Sequence, residues 1–255
     1  MPRSYGHVPD PEGHMVTGSH VLLGSVSTLP AKASLRDHVN IFDQVKTSSC
    51  VGWATAQGIW VSLQAAGLVF ATFPSAHGIY TIARCIDRID NRRPLRDIGS
   101  MPNRAMRGLT EWGVPMSLDW PFDPDHINRE PVWDELKKSS RLKLLGYYRV
   151  DGTGPSVVER IKQAITSGYA VPLATQVDAS FEDYNGSGVL SAPTSTLGGH
   201  YICAVGYETM QKGNTVFTIA NSWGDWGDKG FGYCDESWLL RTTDRYVMNL
   251  HRKVS

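Results

Sequence analysis

Cysteine and histidine are the side chains best suited to nucleophilic catalysis near neutral pH, and the chain holds four of one and eight of the other. Cys50 stands out among the cysteines. It follows the polar stretch Asp43–Ser49 and opens an apolar run in which Trp53, Ala56, Trp60, Leu63 and Gly67 recur at steps of three and four, the repeat of one helix face. Thr47, Ser48 and Ser49 are helix-capping types, and Gly67 suits the far end. Cys50 is therefore expected in the first helical turn, where backbone N–H groups and the helix dipole favour a thiolate. Such a nucleophile needs a base, and the base needs an orienting group. His200 follows Gly198-Gly199, a pair that allows close backbone approach, and opens the strand-like run Tyr201–Tyr207. Asn221 ends another such run, beside Trp223 and Trp226. Its amide can accept an imidazole N–H while an indole shields that bond from water.

The elements that must position these residues change character along the chain. Residues 1–30 read as an irregular extension in which His7, His14 and His20 are expected to be solvated, without metal-ligand spacing. Residues 31–140 read as mainly helical: the Cys50 helix, a second helix carrying Ile79, Ile82 and Ile86 after a Ser75 cap, and a third capped by Asn103. Residues 141–255 read as strand-rich, with runs at 144–150, 170–177, 200–207, 215–221, 231–234 and 246–251. A helix starting at the capping-box pattern Ser156-x-x-Glu159 interrupts them. A helical half followed by a strand-rich half predicts an α+β protein in two lobes.

Composition narrows the function further. The 25 basic and 25 acidic side chains balance, which argues against an electrostatic platform for nucleic acid or for a membrane surface. No apolar run reaches the roughly 18 residues of a membrane span, and the N-terminus lacks a signal-peptide layout. The scattered cysteines form neither a disulfide framework nor a zinc site. Together these predict a reducing, cytoplasm-like compartment and no cofactor.

Read jointly, the motifs resemble those of the papain-like cysteine peptidases, whose chain order is Gln, Cys, His, Asn. Gln44 lies six residues before Cys50, His200 opens a strand ending in Val205-Gly206-Tyr207, and Asn221–Gly230 carry the fixed residues of Asn-Ser-Trp-Gly-x-x-Trp-Gly-x-x-Gly with one residue fewer between Gly224 and Trp226. Gly99-Ser100-Met101-Pro102 resembles the segment lining the substrate cleft. The opening Leu29-Pro30-Ala31 is similar to the compact bacterial, archaeal and viral branch. The resemblance covers about residues 29–251 and implies a helical lobe carrying the Cys50 helix and an antiparallel barrel-like lobe carrying His200 and Asn221. The active site would lie in the cleft between them.

The resemblance also implies roles. Cys50 and His200 form a thiolate–imidazolium pair, with a cysteine pKa of roughly 3–4. Asn221 orients His200 under Trp223 and Trp226, and Gln44 donates to the oxyanion. Gly99, Ser100, Met101, Pro102 and Gly199 bind a polypeptide substrate. The chain departs from the family at Val51-Gly52, where Trp-Ala is usual, at Thr47, where a disulfide cysteine often stands, and at Ser100, where a glycine is usual. The motif does not separate a peptidase from a transamidase, deamidase or isopeptidase, because water and amines attack the same thioester, and the departures keep open a catalytically silent binding module. No long inhibitory propeptide precedes the motif, so the N-terminal arm is expected to lie across or near the cleft. Oligomeric state is not legible from the sequence.

Overall fold

In a computed structural model, residues 4–11, 28–91, 94–211 and 213–252 are described. His14, His20, Arg92 and Arg93 fall outside them. The first major helix, α1 (Cys50–Ala65), is buried along thirteen of its positions. A helix apolar on all sides must be surrounded by protein, and α1 is packed by α2 (Ala76–Asn91), α3 (Pro102–Glu111) and the central strand of the β lobe. Gly67, at φ +70°, ends α1 in the left-handed conformation that glycine adopts without strain. Gly52 has a packing reason. A Cβ there would meet the Ala76 carbonyl oxygen at 2.2 Å, so the departure from Ala lets α2 approach closely. Trp53 fills the neighbouring space, stacking on Phe42 at 5.0 Å and meeting Phe122 edge-on.

Three capping expectations give way to other partners. At α1 the N-cap is Ser49, and no side chain caps it. The Thr47 hydroxyl instead donates to the Gln44 carbonyl at 2.8 Å and meets the Ser49 hydroxyl at 2.6 Å, while Ser48 N–H donates to Asp97 at 2.9 Å. The hydroxyls fold the Gln44–Ser49 loop rather than start the helix. The fifth helix, after α4 (Trp133–Ser139), is α5 (Pro155–Thr166). Its N-cap is Gly154, which moves Ser156 inside the helix and dissolves the capping box. Proline at the first position of α3 likewise displaces Asn103 from its expected cap. Ser75 does cap α2, its hydroxyl accepting from Gly78 N–H at 2.9 Å.

The second lobe is a five-stranded antiparallel sheet around a long central strand. We label its members β1 (Lys32–Ser34), β3 (Val171–Val177), β4 (Gly198–Thr209), β5 (Thr215–Ala220) and β6 (Phe231–Asp235), with β4 pairing β1, β3 and β5. β1 comes from the stretch ahead of Cys50 yet joins the sheet. β2 (Leu142–Arg149) and β7 (Tyr246–Arg252) form a separate antiparallel pair. Tyr201–Val205 of β4 are buried on both faces, as an unbroken apolar run in a central strand requires. The four cysteines are free and buried; Cys85, Cys203 and Cys234 lie in the core. Burial pushes the Cys203 thiol well up.

Candidate active site

α1 and β4 bring the chemistry together. The N–H of Tyr201, the residue after His200, points at the Cys50 sulfur at the head of α1. His200 Nε2 donates to Asn221 Oδ1 at 2.7 Å, which directs the opposite ring nitrogen away from the amide. Asn221 Oδ1 also accepts Ser222 N–H at 2.8 Å, and Asn221 N–H is held by Gly230. The Trp223 indole stacks on the imidazole at 4.4 Å and 26°. Trp226 supports this cover indirectly. It meets Trp223 edge-on at 6.2 Å and donates its N–H to the Phe181 carbonyl, while the Phe181 ring meets both His200 and Trp223 edge-on. Phe181 is thus a shielding residue that the motif alone did not reveal.

Gln44 is wholly buried and fixed at both ends of its amide. Nε2 donates to the Thr47 carbonyl at 2.8 Å, and Oε1 accepts from the Ser222 hydroxyl at 2.8 Å. Ser222 follows Asn221, so the side-chain amides of Gln44 and Asn221 share one support. Val45, beside Gln44, sits at φ +50°, a genuine outlier for a β-branched residue.

The cleft is filled by the chain's own N-terminus. Gln44 Nε2 reaches the Ser4 carbonyl at 3.3 Å, and the Gly6 N–H points at the Cys50 sulfur. Gly6 O accepts from Ser100 N–H at 2.8 Å and Val8 N–H donates to Ser100 O at 3.1 Å, so His7 bridges Ser100 in a parallel sense. On the other wall His7 N–H donates to Gly199 O at 3.1 Å. Ser100 thus pairs its N–H and its carbonyl with the residues on either side of His7. Met101, Gly99 and Ser100 line a pocket with Val8, whereas Pro102 is buried as the first residue of α3 and is not part of that lining.

The arm buries both Cys50 and one of its own histidines. Cys50 and His200 have no exposed surface, and burial pushes the Cys50 thiol up to about 12 against the lowering effect of the N–H groups aimed at it. His7 is not solvated: its Nε2 lies 2.8 Å from Asp244 Oδ2, with side chains 3% and 2% exposed. Asp10 continues this second cluster. Its N–H donates to Asp244 Oδ2, its carboxylate accepts from Asn103 N–H and the Tyr246 hydroxyl, and Arg149 pairs Asp244 Oδ1 at 2.7 Å. Sequence reading missed Asp10 and Asp244, for no spacing links the arm to a loop 234 residues later. Among the described residues, no group of three or more His, Cys, Asp or Glu could hold a metal, and no helix is long and apolar enough to cross a membrane.

A thiol heading a buried helix, faced across a cleft by an imidazole–amide pair in a second lobe, defines a papain-like thiol-hydrolase architecture. The comparisons place it more narrowly. The sequence model of the papain family cysteine proteases matches residues 97–238, so the chain belongs to that family. A peptidase C1-like protein of Acanthamoeba polyphaga mimivirus is 29% identical over 145 residues, 53% of this chain and 46% of that protein. Chymopapain of Carica papaya is 36% identical over 137 residues, 52% of this chain and 36% of that protein. The chain thus spans less than half the length of these curated relatives. Among solved structures, xylellain, a cysteine protease from Xylella fastidiosa, superposes with a TM-score of 0.78 at 22% identity, covering 96% of this chain and 95% of that one. Procathepsin B S9 of Trypanosoma congolense gives 0.76 at 17% identity, over 98% and 87%. At these identities the structural matches speak for the fold.

Proposed function

We propose that the chain is a cysteine peptidase held latent by its own N-terminal arm. The observation that carries the catalytic reading is the His200–Asn221 bond of 2.7 Å under Trp223, built beside the head of the Cys50 helix. With the arm displaced, Cys50 and His200 form an ion pair and the thiolate attacks a peptide carbonyl. Gln44 and the Cys50 N–H donate to the developing oxyanion. His200 protonates the leaving amine, then activates the water that opens the thioester. Asn221 keeps the ring in its productive tautomer. Ser100 and Gly199 offer the backbone groups that hold an extended substrate, as they hold the arm.

Latency rests on how the arm sits. The sulfur receives the N–H of Gly6, and the Ser4 carbonyl occupies the Gln44 donor. The same occlusion favours one rival, a permanently silent module that uses the cleft only for binding. Transamidase, deamidase and isopeptidase activities share the thioester and differ only in acyl donor or acceptor.

Iodoacetamide labelling at mildly acidic pH tests the reading. A His7→Ala chain, whose arm has lost its pocket contact, is expected to label at Cys50 faster than a free cysteine, and His200→Ala is expected to slow that labelling. Product masses from a peptide library with and without an added amine then separate hydrolysis from acyl transfer. Equal labelling with and without His200, and no turnover by any arm variant, would establish the silent module instead.

A further inference from the structure

Two residues behind the cleft tie its oxyanion loop to the backbone edge that holds an extended chain. Gly52 lets α2 pack closely on α1, and a Cβ there would also meet the Tyr80 Cβ at 3.0 Å. Tyr80 therefore stands directly behind the start of the Cys50 helix. It has no exposed surface, and its hydroxyl bonds in two directions. It donates to Asp97 Oδ1 at 2.8 Å and accepts the Gly99 N–H at 3.0 Å. The same Asp97 oxygen accepts the Ser48 N–H at 2.9 Å, and the Ser48 hydroxyl donates to the Asp97 carbonyl at 3.3 Å. The buried Arg84 guanidinium lies over the Tyr80 ring at 3.8 Å and donates to the carbonyls of Arg96 at 3.1 Å and Ile127 at 2.6 Å. It thereby holds the residue before Asp97 as well as the phenol. Burial pushes the Tyr80 hydroxyl well above its usual value, against the Arg84 charge, so it stays a donor at neutral pH.

We propose that Tyr80 and Asp97 are positioning residues that set the oxyanion loop and the substrate edge together. Ser48 belongs to the loop that runs from Gln44 to Cys50. Gly99 leads into Ser100, whose N–H and carbonyl hold the arm. Val45 keeps φ +50° in the first loop, and strain of this kind persists only where the surroundings over-determine it. Ser222 anchors the Gln44 end of that loop at 2.8 Å, and Asp97 anchors the Ser48 end. Gly99 takes φ +92°, a conformation open to glycine, and Tyr80 pins its N–H. One carboxylate oxygen and one phenol thus register both segments. A shift of either segment would move the Gln44 and Cys50 donors relative to a carbonyl held on Ser100. Oxyanion stabilisation depends on that alignment. The inference rests on the peptidase reading and names the residues through which that site is aligned.

The test compares Tyr80→Phe, Asp97→Asn and Asp97→Ala in the full His7→Ala chain, with a fluorogenic peptide as substrate. Tyr80→Phe removes both hydroxyl bonds and keeps the ring under Arg84. It is expected to lower kcat about tenfold and to raise KM about threefold, the scale of two neutral hydrogen bonds. Asp97→Ala should cost about ten- to hundredfold in kcat/KM. Asp97→Asn keeps an acceptor oxygen and should stay within about threefold of the parent. In a Gln44→Ala background the kcat effect of Tyr80→Phe should vanish while its KM effect remains, a split that a general loss of stability does not produce. Equal kcat losses with and without Gln44, or parental constants for Tyr80→Phe, overturn the proposal. Should Tyr80→Phe not fold, Asp97→Asn falling as far as Asp97→Ala overturns it alone. His200-dependent labelling of Cys50 reports separately on the peptidase reading. If that labelling fails, amide hydrogen exchange still reads the alignment without turnover. Asp97→Ala should speed exchange at Ser48 and Gly99 by about tenfold and leave α1 and β4 unchanged. Exchange unchanged at both residues, or accelerated uniformly along the chain, refutes the assignment.

Discussion

Two polar clusters lie buried under the same eight-residue stretch of arm, and they depend on it differently. At Cys50, His200, Asn221 and Gln44 the body of the protein supplies the main side-chain contacts, and the arm contributes backbone groups: the Ser4 carbonyl and the Gly6 N–H. At Asp244 the arm contributes side chains, His7 and Asp10, as well as the Asp10 N–H. The first cluster is complete without the arm and is only covered by it. The second is half arm and half body. Of the three non-glycine residues at positive φ among those described, Val45 adjoins the first and Asp244 belongs to the second. The chemical site is therefore preformed and masked, whereas the far end of the cleft is a latch that only closes with the arm in place.

If the first cluster is a preformed catalytic site, its residues should fail in order of their distance from bond making. With the arm loosened by His7→Ala, Cys50→Ala is expected to lower kcat by roughly 10⁶-fold, the size of losing a covalent nucleophile. Gln44→Ala should cost about 10²–10³ in kcat with little change in KM, the signature of an oxyanion donor. Steady-state kinetics on a fluorogenic peptide reads both. A Gln44→Ala loss confined to KM would make Gln44 a binding residue and blur the contrast between the clusters.

The two clusters also differ in how far the sequence exposes them. Cys50, His200, Asn221 and Gln44 are legible because each sits in a local signal: a helix start, a glycine pair before a strand, an amide before indoles, a spacing of six. The fold is legible for a similar reason, since the strands of the second lobe are short apolar runs between turns. Local capping reads less well. Thr47 and Ser49 satisfy the loop rather than α1, and Gly154 displaces Ser156, because hydroxyls take whichever backbone partner tertiary packing brings nearest. The latch is illegible for a deeper reason. Asp10 and Asp244 become neighbours only once the arm crosses both lobes, and a single His7 in a glycine-rich arm looks solvated until its carboxylate partner is in place.

Backbone grip and side-chain latch can be broken one at a time. A Cβ at Gly6 would meet the Ser48 carbonyl oxygen at 1.8 Å, so Gly6→Ala must lift the arm from the first cluster. It would forfeit the bonds from Ser100 N–H, His7 N–H and Val8 N–H, three backbone hydrogen bonds worth about 1 kcal/mol each. Labelling of Cys50 is expected to accelerate by about two orders of magnitude. An unchanged labelling rate would mean that the arm does not limit access to the thiol.

The latch should add a smaller, pH-dependent effect. Burial first, then the Asp244 charge, raises Asp10 to about 6, against the lowering effects of Tyr246, Asn103 N–H and Arg149. In the lifted arm Asp10 is in water and returns to its ordinary value near 3.8. The closed form therefore holds a proton that the open form releases between about pH 4 and pH 6. Closure is fully supported below that window and loses this support as pH rises through it, so the arm loosens toward neutral pH. Two units set a ceiling of about a hundredfold on the change, and ten- to hundredfold is the expected rise in the opening equilibrium. Asp10→Asn, neutral throughout, should keep the arm closed above pH 6 and flatten the profile. A His7→Gln background takes the imidazole out of the comparison. The measurement is the rate of Cys50 labelling from pH 4 to 7, divided by the rate for Gly6→Ala so that the thiol's own titration cancels. A normalised profile that falls with pH, or one that Asp10→Asn leaves unchanged, would show that the arm is held by its backbone alone.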